Sequence, residues 1–298
     1  MRLLDYLPKV QGTYRENASL SKTNWFNVGG PAEILYKPKD AEDLAFFLKN
    51  KPRNITYIVI GCGSNLIVRD KGIEGVVIKL TREFTSCIAD KDLITVGAGC
   101  LSYNLAMFAM NNSIGGIEFL SGIPGTIGGN LAMNAGAYGG DISSILQTAI
   151  LLDDQGNFHE LTSNDIGYFY RGNNLPKNWI FTACKLKGYI EDYNIIKVKI
   201  DDISIKREQT QPVRTKTSGS TFKNPIEGKK AWQLIDEAGC RGLKIGGAIV
   251  SEKHCNFFIN ENNATAKDLE ILGEEVRKRV KEKTGVELEW EIKIIGKG

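Results

Sequence analysis

The sequence predicts an α+β fold, and three observations predict it. Short apolar runs that read as strands outnumber the helical stretches between them, which argues against regular βαβ repetition. Segments with helical spacing are few, and two of them fall near the C-terminus. Glycine, at 32 of 298 residues, is concentrated in one block and not spread through linkers. In chain order, AEDLAFFLKN (Ala41–Asn50) has helical spacing, and residues 55–60 (ITYIVI) read as a buried strand. That strand ends in a turn of Gly61, Cys62, Gly63, Ser64 and Asn65. Residues 75–80 and 93–97 are further strands, and residues 101–112 form a helix with Ser102 as its N-cap. Strands follow at 148–152, 179–186 and 195–200. A boundary falls near residue 201, after which the polar stretch KREQTQPVRTKTSGS runs to Ser220. Beyond it, residues 231–239 and 265–285 are helical. The latter puts Leu269, Leu272, Val276 and Val280 on one stripe, with Glu274–Lys278 and Glu275–Arg279 as i,i+4 pairs on the exposed side.

Composition excludes several classes. With 42% hydrophobic and 24% charged residues, the chain is an ordinary globular one, and its net charge of +3 comes without long basic runs. Nucleic acid therefore gains no electrostatic support, although a few cations could hold a phosphorylated small molecule. The start MRLLDYLPKV lacks a basic-then-apolar signal pattern, and no apolar run approaches the roughly 18 residues of a membrane span. The expected location is the cytoplasm, with no membrane and no obligatory protein partner. Six cysteines without a CxxC pair, and only two histidines far apart, argue for reduced packing thiols and no metal site.

Nine of the 26 residues in the stretch 115–140 are glycine, interleaved with Ile, Phe, Leu, Met and Tyr. Such a stretch is packed, with backbone brought close to something, because glycine places no Cβ in the way. No GxGxxG, GK[ST] or GxSxG motif is present. Two glycine turns nevertheless follow strands. One is residues 61–65. The other holds Gly122, Ile123, Pro124, Gly125, Thr126, Gly128 and Gly129. Turns of that kind expose backbone N–H groups to a pyrophosphate, and the pair beside the glycine block favours a dinucleotide. A loop from Ser218 to Pro225 clusters hydroxyls, an amine and an amide, a set that suits an acid or oxyanion donor near a substrate.

Taken together, six stretches resemble one family. They are NWFNVGGPAE, GCGSNLIVRDKGIEGVVI, GIEFLSGIPGTIGGNLAMNAGAYGGDI, TSGSTFKNP, GGAIVSEKHCNFFIN and LEWEIKIIG, in family order over nearly the whole chain. The family is the UDP-N-acetylenolpyruvoylglucosamine reductases, flavoenzymes of bacterial peptidoglycan and cell-wall synthesis. The resemblance implies a two-subdomain FAD-binding fold of the vanillyl-alcohol-oxidase type plus a C-terminal α/β substrate-binding domain. Its expected parts are residues 1–82 joined by 290–298, residues 83–200, and residues 201–289. FAD would be noncovalent, since neither glycine segment contains a histidine to tether it. The two turns would hold its pyrophosphate, with Asn134, Gly136 and Ala137 near the flavin.

By resemblance the chain reduces the enolpyruvyl group of a UDP-sugar with NADPH as co-substrate. Arg171 and Glu291 would stabilise charge on the substrate carboxylate, and Ser220 would give the proton to the α-carbon. Arg171 is followed by Gly172 and Asn173, where the family often has a serine two residues on. Trp290 stands where the family ending has proline; Glu291 is preferred to Glu289 because it occupies the later glutamate of the motif. The stretch after Tyr170 is short, as in the subclass without an inserted tyrosine loop. Lys223, Asn224, Arg207 and Arg214 are the candidates to hold the UDP. An FAD-linked oxidase of the same fold, acting on an alcohol or sugar with oxygen, is the alternative activity, and an inactive nucleotide-binding scaffold is the non-enzymatic one.

Overall fold

The apolar runs read at 148–152 and 179–186 become neighbouring strands, Leu146–Leu152 and Ile180–Lys187, of an antiparallel sheet. Its order is Phe158–Thr162, Leu146–Leu152, Ile180–Lys187, Leu93–Gly97 and Cys87–Asp90. The computed structural model describes residues 2–298 and resolves two units. The first takes the segment ending at Glu16 with Ile34–Gly61 and Gly75–Lys206. The second takes Asn17–Glu33, Cys62–Glu74 and Arg207–Gly298.

The first unit has two cores. One is built on the five-stranded sheet: Ile94, Val96, Ala149, Leu151, Cys184 and Leu186 pack with Leu105, Ala109, Ile127 and Leu131 from the helices Ser102–Asn111 and Ile127–Met133. The other belongs to a four-stranded sheet ordered Thr13–Ser19, Pro31–Lys37, Ile73–Lys79, Tyr57–Ile60, whose last two strands are parallel. The helix Ala41–Asn50 covers it with Leu44, Phe47 and Leu48, and Asp40 caps the helix by accepting from Asp43 N–H.

Asp43 carries a further load at this cap. Its carboxylate is almost fully buried and accepts from Gln11 N at 2.7 Å, Gly12 N at 2.9 Å, Tyr36 Oη at 2.8 Å and Lys39 N at 3.1 Å. Burial alone would raise its pKa, but these donors outweigh burial and hold it below the ordinary carboxylate value. The sign follows: this stabilisation is present above the unfolded carboxylate pKa and is lost as pH falls through the lower folded one. Asp43→Asn turns one acceptor into a donor facing N–H groups. It should lower stability by about 2–4 kcal/mol in urea unfolding at pH 7. The gap should shrink on acidification.

The sequence reading fails at residues 195–200. The alternation Ile196-Lys197-Val198-Lys199-Ile200 mimics a strand, yet these residues lie in the helix Tyr193–Thr210. Ile196, Ile200 and Ile203, spaced i, i+4, i+7, are buried, whereas Ile195 and Val198 are exposed. Tertiary burial therefore selects the helical period over the local alternation. The same helix runs through the boundary expected near residue 201. Ser102 is the other correction: it is the first residue of its helix and not its cap. Its Oγ donates to Gly125 O at 3.1 Å and accepts from Asn130 Nδ2 at 2.6 Å.

The second unit packs the helices Ala231–Glu237 and Ala266–Thr284 with an antiparallel sheet of Lys244–Ile245, Ala248–Val250 and Phe258–Asn260. Leu269, Leu272, Val276 and Val280 are all buried, as their spacing requires. Glu275 pairs with Arg279 at 2.7 Å, but Glu274 turns to Arg277 and to the Trp290 indole N–H instead. The strand Lys293–Ile295 lies parallel to Leu66–Val68. No helix is long and apolar enough to cross a membrane among the described residues.

Candidate active site

In the first unit a cavity of about 110 Å³ opens between residues of both sheets. One wall is apolar, with Val59, Ile60, Leu80, Trp179 and Phe181. The other has almost no side chains, being Gly61, Gly99, Gly128 and Gly129 with Thr126. The sequence pointed to Gly61, Thr126, Gly128 and Gly129. It missed the apolar wall and Gly99, which stands just after the strand Leu93–Gly97.

The reason for glycine here differs from expectation. The N–H groups of Ile127, Gly128 and Gly129 are already taken, by Cys100 O, Ala98 O and Thr126 Oγ1. What glycine supplies is room: a Cβ on Gly61 would lie 2.5 Å from Thr126 Oγ1. The second glycine turn also does not follow a strand; it leaves the 3-10 turn Glu118–Gly122. Gly122, Ile123, Pro124 and Gly125 do not line the cavity but brace it, with Gly125 O accepting from Ser102 N and Oγ. Trp179 is held from behind by a stacked His159 ring, 4.5 Å away and inclined by 24°. His159 Nε2 lies 3.0 Å from Asp153. Burial works against the charged form of Asp153, but His159 and the Asn157 and Gln155 donors bring its pKa down to about 2.

A flat heterocycle against an apolar wall and a phosphate chain against bare backbone beside a hydroxyl are the two chemistries of a nucleotide, and this cavity offers both. The residues present thus fit the nucleotide end of FAD. None of the lining residues is a histidine or cysteine that could tether it.

Arg171, Asn134, Gly136 and Ala137 come together in the same unit. Asn134 ends the helix Ile127–Met133 in left-handed backbone (φ 43°) and its Oδ1 accepts from Ser143 N at 2.9 Å. Gly136 and Ala137 form a short strand paired with Gly140 and Asp141. Arg171 also has a positive φ, 59°, in the tight turn Phe169–Gly172. Its Nη2 donates to Gly136 O at 2.9 Å, and its guanidinium stands 5.0 Å from the Tyr170 ring centroid.

Ser220 and Glu291 belong to the second unit and lie on adjacent extended segments. Phe222 bridges to Trp290, Glu291 N donates to Thr221 O at 2.9 Å, and Asn65 Nδ2 donates to Glu291 O at 3.1 Å. Of the turn residues 62–65, Gly63 packs so closely on Thr23 and Asn24 that a Cβ there would meet backbone at 2.3 Å. Asn256, 3% exposed, clamps the serine segment by accepting from Phe222 N at 2.9 Å and donating to Phe222 O at 2.8 Å. Sequence reasoning missed Asn256, although it stands inside GGAIVSEKHCNFFIN. The hydroxyls of Thr217, Ser218 and Thr221 are buried beside Ser220 with no hydrogen-bond partner among the described residues. Buried unpaired hydroxyls are costly, so three within five residues mark an edge shaped for a polar ligand.

Each of the four UDP candidates has a partner within the second unit. Lys223 Nζ is 3.2 Å from exposed Glu289, and Asn224 Oδ1 accepts from Ala231 N at 3.0 Å. Arg207 Nε donates to Gln211 at 3.3 Å, while Arg214, with its side chain 88% exposed, approaches Glu208 at 3.6 Å. Trp290, in place of proline, is accommodated by Gly273, where a Cβ would come within 2.1 Å of the indole ring. His254 is a structural histidine: burial lowers its pKa, its Nδ1 accepts from Asn256 N, and its ring lies 4.7 Å from that of Phe257. Among the described residues, no group of three or more His, Cys, Asp or Glu side chains is placed to hold a metal ion.

A family model described as an FAD binding domain matches residues 32–162, and one described as the C-terminal domain of UDP-N-acetylenolpyruvoylglucosamine reductase matches residues 211–295. The UDP-N-acetylenolpyruvoylglucosamine reductase of Wolbachia pipientis subsp. Culex pipiens (strain wPip) is 50% identical over 99% of this chain and 100% of its own. That of Rickettsia canadensis (strain McKiel) is 51% identical over 98% of each chain. The crystal structure of the UDP-N-acetylenolpyruvylglucosamine reductase (MurB) from Thermus caldophilus superposes with a TM-score of 0.82 at 34% identity, over 96% of this chain and 99% of that one. With half its residues identical to those of curated relatives over nearly its full length, the chain belongs to the UDP-N-acetylenolpyruvoylglucosamine reductase family.

Proposed function

We propose that the chain reduces UDP-N-acetylglucosamine-enolpyruvate to UDP-N-acetylmuramate with NADPH, a step of peptidoglycan precursor synthesis. The observation that carries this reading is the serine segment 217–221, clamped by Asn256 beside the Glu291 segment, in a chain of this family. FAD held in the cavity would supply two-electron hydride chemistry between NADPH and the β-carbon of the enolpyruvyl group. That carbon accepts hydride because its double bond is conjugated to a carboxylate, where negative charge then collects.

The rest falls to this chain's side chains. Val59, Leu80, Trp179 and Phe181 hold the adenine end of the cofactor, and Gly61, Thr126, Gly128 and Gly129 let its phosphates approach. Asn134, Gly136 and Ala137 border the flavin. Arg171, steadied by Gly136 O and the Tyr170 ring, places its charge at the substrate carboxylate with Glu291 as its companion. Ser220 delivers the proton to the α-carbon. A serine is a weak acid, but an enolate is basic enough for the transfer to run downhill. Lys223, Asn224, Arg207 and Arg214 remain our candidates for the UDP. The proposed division of labour is residues 1–82 with 290–298 and residues 83–200 for FAD, and residues 201–289 for the substrate. We place the reaction in the cytoplasm, where it serves cell-wall growth and hence cell shape and division.

Product analysis tests this. Under nitrogen, each NADPH consumed should yield one UDP-sugar two mass units heavier than the substrate. Oxygen uptake on an alcohol or sugar without NADPH would favour the oxidase instead. Cofactor placement has its own test: Gly61→Val forces side-chain atoms against Thr126 and into the cavity. Overpacking of about 1–3 kcal/mol corresponds to roughly 5–150-fold weaker FAD binding, read from flavin fluorescence on dilution. Wild-type retention in that variant would place FAD elsewhere.

A further inference from the structure

The five-stranded sheet carries a pair of thiols that the reaction above does not use. Cys87 opens the edge strand Cys87–Asp90, and Cys100 follows the neighbouring strand Leu93–Gly97. Their Sγ atoms lie 3.6 Å apart, in contact. Cys87 is half-buried, while Cys100 is 3% exposed. Cys184, which faces Cys87 across Val96 in the strand register, is buried as well. A disulfide needs an S–S distance of about 2.04 Å, so the two sulfurs, already in contact, must close by roughly 1.5 Å.

We propose that Cys87 and Cys100 form a reversible dithiol–disulfide modification site whose oxidant is a hydroperoxide. Cys87 is the nucleophile because it is the thiol a solute can reach. The contact with Cys100 favours the thiolate at Cys87, below the ordinary thiol pKa, while the same contact and burial push Cys100 up. In the first step the Cys87 thiolate attacks a peroxide oxygen, the O–O bond breaks, hydroxide leaves and a sulfenic acid forms. In the second, the Cys100 sulfur attacks the Cys87 sulfur and the S–S bond forms as the sulfenic oxygen departs as water with the Cys100 proton. Two thiols lose two electrons, and hydrogen peroxide becomes two waters.

The position gives the pair a purpose. Cys100 adjoins Gly99 in the cavity wall, and its carbonyl accepts from Ile127 N at 2.8 Å. A resolving thiol in contact diverts Cys87 into a bond that reductant reopens, and keeps a permanent sulfinate away from that wall.

Hydrogen peroxide titrated into the FAD-loaded protein, followed by alkylation and peptide mass analysis, tests the proposal. The expected product is a Cys87–Cys100 crosslink two mass units below the dithiol, formed before half-buried Cys62 is modified and reversed by dithiothreitol. Cys100→Ser should instead accumulate Cys87 sulfenic acid, trapped by dimedone, and then sulfinic acid that dithiothreitol does not return to the thiol. The proposal fails if Cys62 oxidises while Cys87 and Cys100 remain free. It also fails if Cys87 is overoxidised equally in wild type and Cys100→Ser.

Discussion

Ser220→Ala should bleach with NADPH at the wild-type rate and then recover its oxidised spectrum about 10²–10⁴-fold more slowly when the enolpyruvyl substrate is added. The size is what a positioned proton donor contributes in general acid catalysis. The asymmetry between the half-reactions identifies the role. NADPH oxidation needs no proton at the α-carbon, so removal of the hydroxyl leaves it untouched. The backbone around Ser220 does not depend on that hydroxyl, because Asn256 and the Glu291 segment hold residues 221 and 222 through main-chain bonds. Stopped-flow spectra of the two steps measure this directly. Equal loss in both would reduce Ser220 to a structural residue.

Arg171→Ala should lower kcat/KM for the enolpyruvyl substrate by about 10²–10³-fold, with flavin content and NADPH-driven bleaching unchanged. That range is typical when one preorganised donor to a developing negative charge is removed. Arg171→Lys should recover little. A lysine ammonium is a compact point charge without the planar fork that can bind Gly136 O and still present N–H groups to a carboxylate. The ring of Tyr170, 5.0 Å away, suits a guanidinium in the same sense. A lysine variant with wild-type kcat/KM would show that charge alone suffices and that the geometry of the turn at Phe169–Gly172 is incidental.

The sequence disclosed those parts of the fold in which local pattern and burial agree. The Ala266–Thr284 helix was legible because its apolar stripe, its Thr265 cap and its Gly285 terminus all point the same way. Residues 195–200 were not, because a period-2 alternation was overruled by the i, i+4, i+7 burial of Ile196, Ile200 and Ile203. In the site, the glycine block announced close backbone approach, but not that Gly128 and Gly129 have their N–H groups spent inside the fold. Trp179 and Leu80 reach the cavity from strand ends far apart in sequence, and nothing in their own neighbourhoods marks them. Asn256 is similar: an asparagine among Cys, Phe and Ile is unremarkable until its amide is found paired on both sides with Phe222. The accommodation of Trp290 by Gly273 is also visible only in three dimensions.

The central claim is that one protein carries electrons from NADPH to an enolpyruvyl sugar nucleotide. Its most direct test is an anaerobic absorption spectrum of the FAD-loaded protein, taken first alone, then with one equivalent of NADPH, then with UDP-N-acetylglucosamine-enolpyruvate. The account predicts flavin bands that bleach with NADPH and return in full with the substrate. Bleaching that persists after the substrate is added would contradict it, by showing a flavin reductase with a different acceptor.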